Sequence, residues 1–288
     1  MRKNVKIANK TIGDEFPCFV TAEVGINHNG SIELAKNLID MAVNSGCDAV
    51  KFQKRTVDVV YSKEELAKER QSVFGNTNGD LKRGLEFSFE QYKEIDEYCK
   101  QKGIIWYASC WDEQSVDFIE QFNPPCYKIA SASLTDDNLL KYTRKTGKPI
   151  FLATGMSSME QIQHAVDVLG EDNLILYHCT STYPTDMTEI NLKVITTLRE
   201  KYSCPIGFSG HERGILPTIM SVMLGANAIE RHITTDRTLW GSDQAASLEF
   251  DGINRIVRDV RQIKTILGDG NKVVYESEKP IIKKLRRV

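Results

Sequence analysis

The strict alternation of two kinds of segment constrains this chain more than any other feature. Eight apolar, strand-like runs, at residues 19–25, 47–53, 104–110, 126–131, 149–155, 174–180, 205–211 and 228–234, are each followed by a helix-like pattern. Many of those patterns start at Ser, Asp or Asn and stop at Gly, as in SIELAKNLIDMAVNSG and SMEQIQHAVDVLG, which is the capping asymmetry of true helices. A doubly wound open sheet produces the same alternation, but eight units predict closure into a (β/α)8 TIM barrel of the α/β class. The length, 288 residues, suits one barrel domain, and residues 1–288 are expected to form it alone. The opening stretch VKIANKTIG predicts a short N-terminal β-hairpin on the barrel floor, turning near Asn9 and Lys10.

Two segments break the rhythm. Residues 56–87 are long and polar; within them KEELAKER reads as a surface helix with Glu64 four positions before Lys68, and the stretch is placed to fold over the barrel mouth. The tail from Asn271 ends in a basic run, Lys283 to Arg287, which reads as a terminal surface element rather than an RNA or lipid patch.

Composition narrows the function. The formal net charge is -2 with both signs interspersed, so neither nucleic acid nor an anionic membrane is an expected partner. No apolar run approaches the ~18 residues a membrane span needs, and the N-terminus lacks the apolar core of a signal peptide; a soluble, cytoplasmic protein is expected. Seven cysteines, an odd number without any C-x-x-C pair, read as reduced, packed thiols rather than a disulfide frame or zinc knuckle.

Polar residues gather at the C-terminal ends of the strands, where a barrel of this kind builds its active site. They are Glu23, Lys51, Gln53, Ser109, Lys128, Ser131, His178, Thr180, Ser181, Ser209, His211, Glu230 and His232. Alternation along a strand puts Lys51 with Gln53, and Glu230 with His232 and Thr234, on the barrel-facing side. Arg231 falls on the opposite side, where a salt bridge between helix and barrel is the available account. His211 and His232, on adjacent strand ends, either share an open site for zinc, manganese, iron or cobalt, or are hydrogen-bonded within the barrel. Lysines are seldom buried unpaired. Lys51 and Lys128 therefore form an imine, grip an anion such as phosphate, or pair with Glu23 and Glu230.

The stretches EVGINHNG, VKFQ, YKIAS, TGM, HCTSTYPT, GFSGH, ERHIT and WGSDQAASLE, in this order from about residue 5 to 280, make the chain resemble the sialic acid (N-acetylneuraminate) synthase family. That resemblance implies a transferase of nonulosonate biosynthesis, condensing phosphoenolpyruvate with an aldose such as N-acetylmannosamine by C–O cleavage. It implies a divalent ion on His211 and His232, manganese first, with magnesium or cobalt as alternatives. The donor would lie against Lys51, Ser109, Lys128, Ser131, Ser181 and Ser209, and the acceptor against Glu23, Gln53, Tyr183 and Asp243, with Glu23 handling a proton. A homodimer or larger homo-oligomer is expected.

The chain departs from the family pattern at Ser133, in place of an acid, and at Ala153, in place of a serine. It also stops at Val288, before the antifreeze-like domain that members usually carry, so a different aldose is an expectation here. One rival, a synthase of the 3-deoxy-octulosonate phosphate kind, needs a second phosphate pocket, and no extra Arg and Lys cluster stands at a strand end to form it. Another rival, a catalytically silent sugar or anion sensor, has little use for an open metal site.

Overall fold

The computed structural model describes residues 2–287. After a hairpin of β1 (Val5–Ile7) and β2 (Lys10–Ile12), the barrel strands begin with β3 (Phe19–Gly25) and β4 (Ala49–Lys54). A small ribbon, β5 (Glu69–Ser72) and β6 (Gly75–Thr77), interrupts them before β7 (Ile105–Cys110), β8 (Tyr127–Ile129), β9 (Ile150–Ala153), β10 (Leu174–His178), β11 (Ile206–Gly210) and β12 (Ala228–His232). Eight of these close in parallel order β3-β4-β7-β8-β9-β10-β11-β12 and back to β3. This is the predicted (β/α)8 barrel, and the ends of its strands fall within two residues of the expected ones.

Strand parity divides the interior into two layers. One set of side chains, including Val20, Ala22, Val50, Phe52, Ile229 and Ile233, packs outward under the helices. The other set fills the lumen, where Phe19, Tyr107, Phe151 and Tyr177 stack with centroids 5.2–6.1 Å apart. Val5, Ile7 and Ile12 of the hairpin join this lower cluster and plug the floor. Because the floor is apolar and closed, the polar residues one or two steps further along each strand are confined to the mouth.

The helices are built from local signals. Ser31, Ser88 and Ser158 cap three of them by accepting from the backbone three residues on, and in the latter two a Gln side chain returns the bond as a capping box. KEELAKER differs from expectation: its helix spans Lys63–Ala67, and Lys68 already has extended ψ, 136°. Leaving the helix there breaks the i, i+4 geometry, so Lys68 pairs with Glu65 instead of Glu64. All seven cysteines are free thiols. Among the described residues no helix is long and apolar enough to cross a membrane.

Candidate active site

Glu23, Lys51, Lys128 and Glu230 leave the lumen-facing side of four strands and meet above the aromatic floor. Lys51 Nζ lies 3.1 Å from Glu23 Oε2 and 3.0 Å from Glu230 Oε1. Lys128 Nζ donates to both oxygens of Glu230, at 3.0 and 3.3 Å, and Ser209 donates to Glu230 Oε1 at 3.1 Å. All four charged groups are at most 5 % exposed. Of the readings left open for the lysines, the structure therefore contains the ion pairs, with Glu230 as the shared carboxylate.

Burial sets the proton balance of this cluster, and the partners decide its sign. Burial alone would pull the Lys51 ammonium down, but Glu23 and Glu230 outweigh it and hold the group above its ordinary value. Lys128, with Glu230 as its carboxylate partner and Lys51 nearby, is pushed down by burial. Glu230 resists burial because Lys128 and Lys51 face it, so it stays well below the usual carboxylate range. Burial raises Glu23 in spite of Lys51 and His232, which makes it the carboxyl of the cluster most ready to hold a proton. Gln53 donates to its Oε1 at 2.9 Å, while its Oε2, though at ion-pair distance from Lys51, has no aligned hydrogen bond.

The two histidines are adjacent. Their ring centroids are 5.6 Å apart, and Tyr183 lies over His211 at 4.1 Å and edge-on to His232 at 5.7 Å. His211 Nδ1 donates to the Thr180 carbonyl at 2.7 Å, which fixes the tautomer and leaves a lone pair on Nε2. Burial, with His232 second, pushes the His211 imidazolium down to about 3, so the ring is neutral at ordinary pH. His232 Nδ1 is buried without a hydrogen-bond partner, and Asp243 Oδ2 stands 3.8 Å from it. A neutral ring with a free lone pair beside an orphaned imidazole nitrogen is the donor set a divalent ion takes. Two imidazoles supply it, since among the described residues no group of three or more His, Cys, Asp or Glu is placed to hold a metal.

A narrow cleft runs between the lysines and the histidines. Ser109 Oγ and Trp111 Nε1 on its wall are buried and unpartnered. The Gly155 backbone N–H donates to Ser131 Oγ at 3.1 Å. A Cβ on Gly155 would lie 2.2 Å from Ser181 Oγ and 2.8 Å from Ser131 Oγ, so only glycine lets these hydroxyls converge. The residues that the family resemblance assigns to donor, acceptor and metal are all within this cleft or against it, with Ser181 reached through Gly155 and Asp243 through His232.

His178 is not among them. It has the parity opposite to Tyr177, and its Nε2 donates outward to the Ile190 carbonyl at 2.7 Å. Trp111, Ala153 and Cys179 line the cleft as well. Each continues the inward parity of its strand, from Tyr107, Phe151 and Tyr177; Ala153 already stands out from the family pattern, and the period-two rule extended past the strand end would have found Trp111 and Cys179.

Arg231 has its account on the outer side of the sheet. Its guanidinium, 1 % exposed, donates to Glu212 Oε1 at 2.7 Å, the Glu212 carbonyl at 2.6 Å, the Gly214 carbonyl at 2.9 Å and Thr218 Oγ1 at 2.8 Å. The pair is thus with the residue after His211 rather than with a charge on a helix, although the helix contributes Thr218. Glu212 follows one imidazole and Arg231 precedes the other, so the ion pair ties together the two strand ends that carry them.

Above the cleft is a larger cavity of about 670 Å³. Its walls come from the loops after β3 (Ile26, Asn29) and β12 (Trp240–Ser242) and from the excursion after β4, which contributes residues 70–73, 81, 82 and 85. Phe74 on that excursion meets Trp240 edge-on at 5.9 Å. The predicted fold-over of residues 56–87 is thus present as a wall of the mouth.

A barrel whose strand ends bring paired lysines, an unpartnered hydroxyl and two adjacent imidazoles to one opening has the layout of an enzyme working on a small molecule at the C-terminal face. The chain belongs to the NeuB family, whose model matches residues 38–272. It is 37 % identical over 279 residues to the N-acetylneuraminate-9-phosphate synthase of Homo sapiens, covering 95 % of this chain and 78 % of that protein. It is 35 % identical over 298 residues to the N,N'-diacetyllegionaminic acid synthase of Legionella pneumophila, covering 100 % and 84 %. The crystal structure of N-acetylneuraminic acid (sialic acid) synthetase from Leptospira borgpetersenii in complex with citrate superimposes with a TM-score of 0.86 at 30 % identity, over 100 % of this chain and 99 % of that one. The chain is therefore an enzyme of the sialic acid synthase type.

Proposed function

We propose that the barrel mouth condenses phosphoenolpyruvate with an aldose, N-acetylmannosamine or a related sugar, to give a 2-keto-3-deoxy sugar acid of the nonulosonate type and inorganic phosphate. The observation that carries this reading is the cleft itself, with two buried lysines and unpartnered donors on one side and two imidazoles with ring centroids 5.6 Å apart on the other. We place the reaction in the cytoplasm.

Lys51 and Lys128 hold the polyanionic donor, its negative groups sharing the ammonium protons that now go to Glu230. Ser109, Ser131, Ser181 and Ser209 add hydroxyl donors, and Trp111 an N–H, around the phosphate and carboxylate. Tyr183, Gln53 and Asp243 orient the acceptor so that its aldehyde carbon faces carbon 3 of the donor. A divalent ion bound by His211 and His232, manganese by preference, would supply Lewis-acid polarisation of the aldehyde oxygen. Glu23, whose carboxyl burial raises above its ordinary value, moves the proton at the sugar oxygen or at the attacking water. Carbon 3 bonds to the aldehyde carbon, water adds at carbon 2, and the C–O bond to phosphate breaks, leaving the keto acid. The lumen floor and the roof of residues 70–85 exclude bulk water, so hydrolysis of the donor alone is disfavoured.

Incubation of the protein with manganese, phosphoenolpyruvate and a panel of aldoses, with inorganic phosphate as the readout, tests the reading. Aldose-dependent release supports it; release that is absent with every aldose, or independent of them all, removes it.

A further inference from the structure

We propose that Arg55 is a positioning residue for the acceptor: its guanidinium locks the Gln53 side-chain amide with the nitrogen toward Glu23 and props the Trp111 ring at the cleft. This rests on the condensation reading above, which puts Gln53 against the aldose.

Arg55 directly follows β4 and is 8 % exposed. It is not on the cleft wall, whereas Gln53 and Trp111 both are, so any effect it has on a bound sugar passes through them. Its guanidinium donates to Gln53 Oε1 and lies over the Trp111 ring, 4.4 Å from the ring centre. At its other end the same amide donates from Nε2 to Glu23 Oε1 at 2.9 Å. The Gln53 backbone is held separately, because its carbonyl accepts from the Tyr92 hydroxyl at 2.9 Å. Only the amide is left for Arg55 to fix.

A side-chain amide can turn over with almost no change of shape, exchanging an acceptor for two donors. Glu23 alone does not settle which way it faces, since an ionised carboxylate takes the N–H while a protonated one can donate to the oxygen. A guanidinium carries donors only. Oε1 must therefore face Arg55, and Nε2 must face Glu23, whichever way a proton moves there. The second N–H of Nε2 and the spare lone pair of Oε1 then stand in fixed places for a sugar hydroxyl.

A structural ion pair accounts for Arg55 less well. Its Nη1 is 3.7 Å from Glu86 Oε1, and among the described residues the guanidinium makes no hydrogen bond to that carboxylate. Glu86 is already satisfied, by Lys54 Nζ at 3.0 Å and the Arg55 backbone N–H at 3.1 Å. Arg55 Nε is buried without a partner. A buried guanidinium with a loose counter-charge and an orphaned N–H is a poor source of stability. Its close contacts are with the two cleft residues.

A double-mutant cycle tests the role. Wild type, Arg55→Met, Gln53→Leu and the double variant, each checked by melting temperature, would be compared in steady-state phosphate release and in calorimetric binding of N-acetylmannosamine with manganese. Arg55→Met is expected to raise the aldose KM and Kd at least tenfold while the phosphoenolpyruvate KM stays within twofold. In the Gln53→Leu background the same substitution should change either value less than twofold. Arg55→Lys keeps a donor-only group and should stay within threefold of wild type. If Arg55→Met fails to fold, Arg55→Gln, whose amide can face Gln53 either way, takes its place in the cycle with the same expectations.

An Arg55 effect that persists without Gln53 overturns the proposal. So does an equal rise in the phosphoenolpyruvate KM, a loss in Arg55→Lys as large as that in Arg55→Met, or no aldose binding in any of the proteins. If the binding cycle shows the coupling but no aldose releases phosphate, the role of Arg55 stands and the condensation falls. If aldoses turn over and Arg55→Met leaves their KM unchanged, the condensation stands and the role of Arg55 falls.

Discussion

Removing the buried acid behind the two histidines should cost more than any surface change. Glu212 and Arg231 are both at most 1 % exposed, and the guanidinium makes four hydrogen bonds, two of them to Glu212. Glu212→Leu keeps the apolar surroundings but leaves a guanidinium buried without a counter-charge. Breaking a buried pair from one side costs about 3–5 kcal/mol. At roughly 2–4 °C per kcal/mol for a domain this large, that is a fall in Tm of about 6–20 °C. Arg231→Met strands the carboxylate in the same way.

The double variant removes both charges and both desolvation costs, so it should melt above either single variant. Scanning calorimetry of the four proteins completes the cycle. A Glu212→Leu protein within 2 °C of wild type would refute this account of Arg231, and so would a double variant whose loss equals the sum of the singles.

Other perturbations have definite expected outcomes. Lys128→Met removes one donor hold and leaves Glu230 with Lys51 alone; loss of a charged hydrogen bond of ~1.5–3 kcal/mol corresponds to a rise in the phosphoenolpyruvate KM of about 10- to 150-fold, measured by steady-state kinetics. His211→Ala should abolish turnover and lower manganese affinity in equilibrium dialysis, and unchanged values for both would remove the metal role. Burial, with Arg55 second, pushes His28 down to about 3 from 6.5. The native ring therefore stays neutral while the unfolded chain takes up a proton below 6.5, so stability is full above pH 6.5 and falls as the pH drops toward 3. One proton accounts for about 1.4 kcal/mol per pH unit of that slope, and denaturant titrations of His28→Phe between pH 4 and 6 should show a slope smaller by that amount. Gly84→Ala would set a Cβ 2.1 Å from the Phe74 ring, costing ~1–3 kcal/mol and shifting the fluorescence of Trp240 as the roof gives way.

The architecture was legible because alternation and capping are local signals, and each strand carried them within its own few residues. Most of the site was legible for the same reason. Lys51 with Gln53, and Glu230 with His232, follow from period two once a barrel is assumed, and the parity of Arg231 correctly sent it outward. What sequence left open was pairing across strands. Whether Lys51 and Lys128 meet an anion or Glu230 depends on strands a hundred or more residues apart, and the partner of Arg231, 19 residues away, lies just past the end of the neighbouring strand. His178 was placed at the mouth because polarity at a strand end was counted without its parity. Arg70 and Lys82 could not be seen as lining one cavity, since the eleven intervening residues form most of a ribbon and part of a helix before the two face it.

The central claim is that this mouth joins an aldose to phosphoenolpyruvate and then breaks the bond between carbon 2 and the bridging oxygen. Phosphoenolpyruvate labelled with oxygen-18 at that bridging position, turned over with manganese and an accepted aldose, tests it most directly by mass spectrometry of the products. The label is expected in the inorganic phosphate. Label retained in the keto acid would contradict the account.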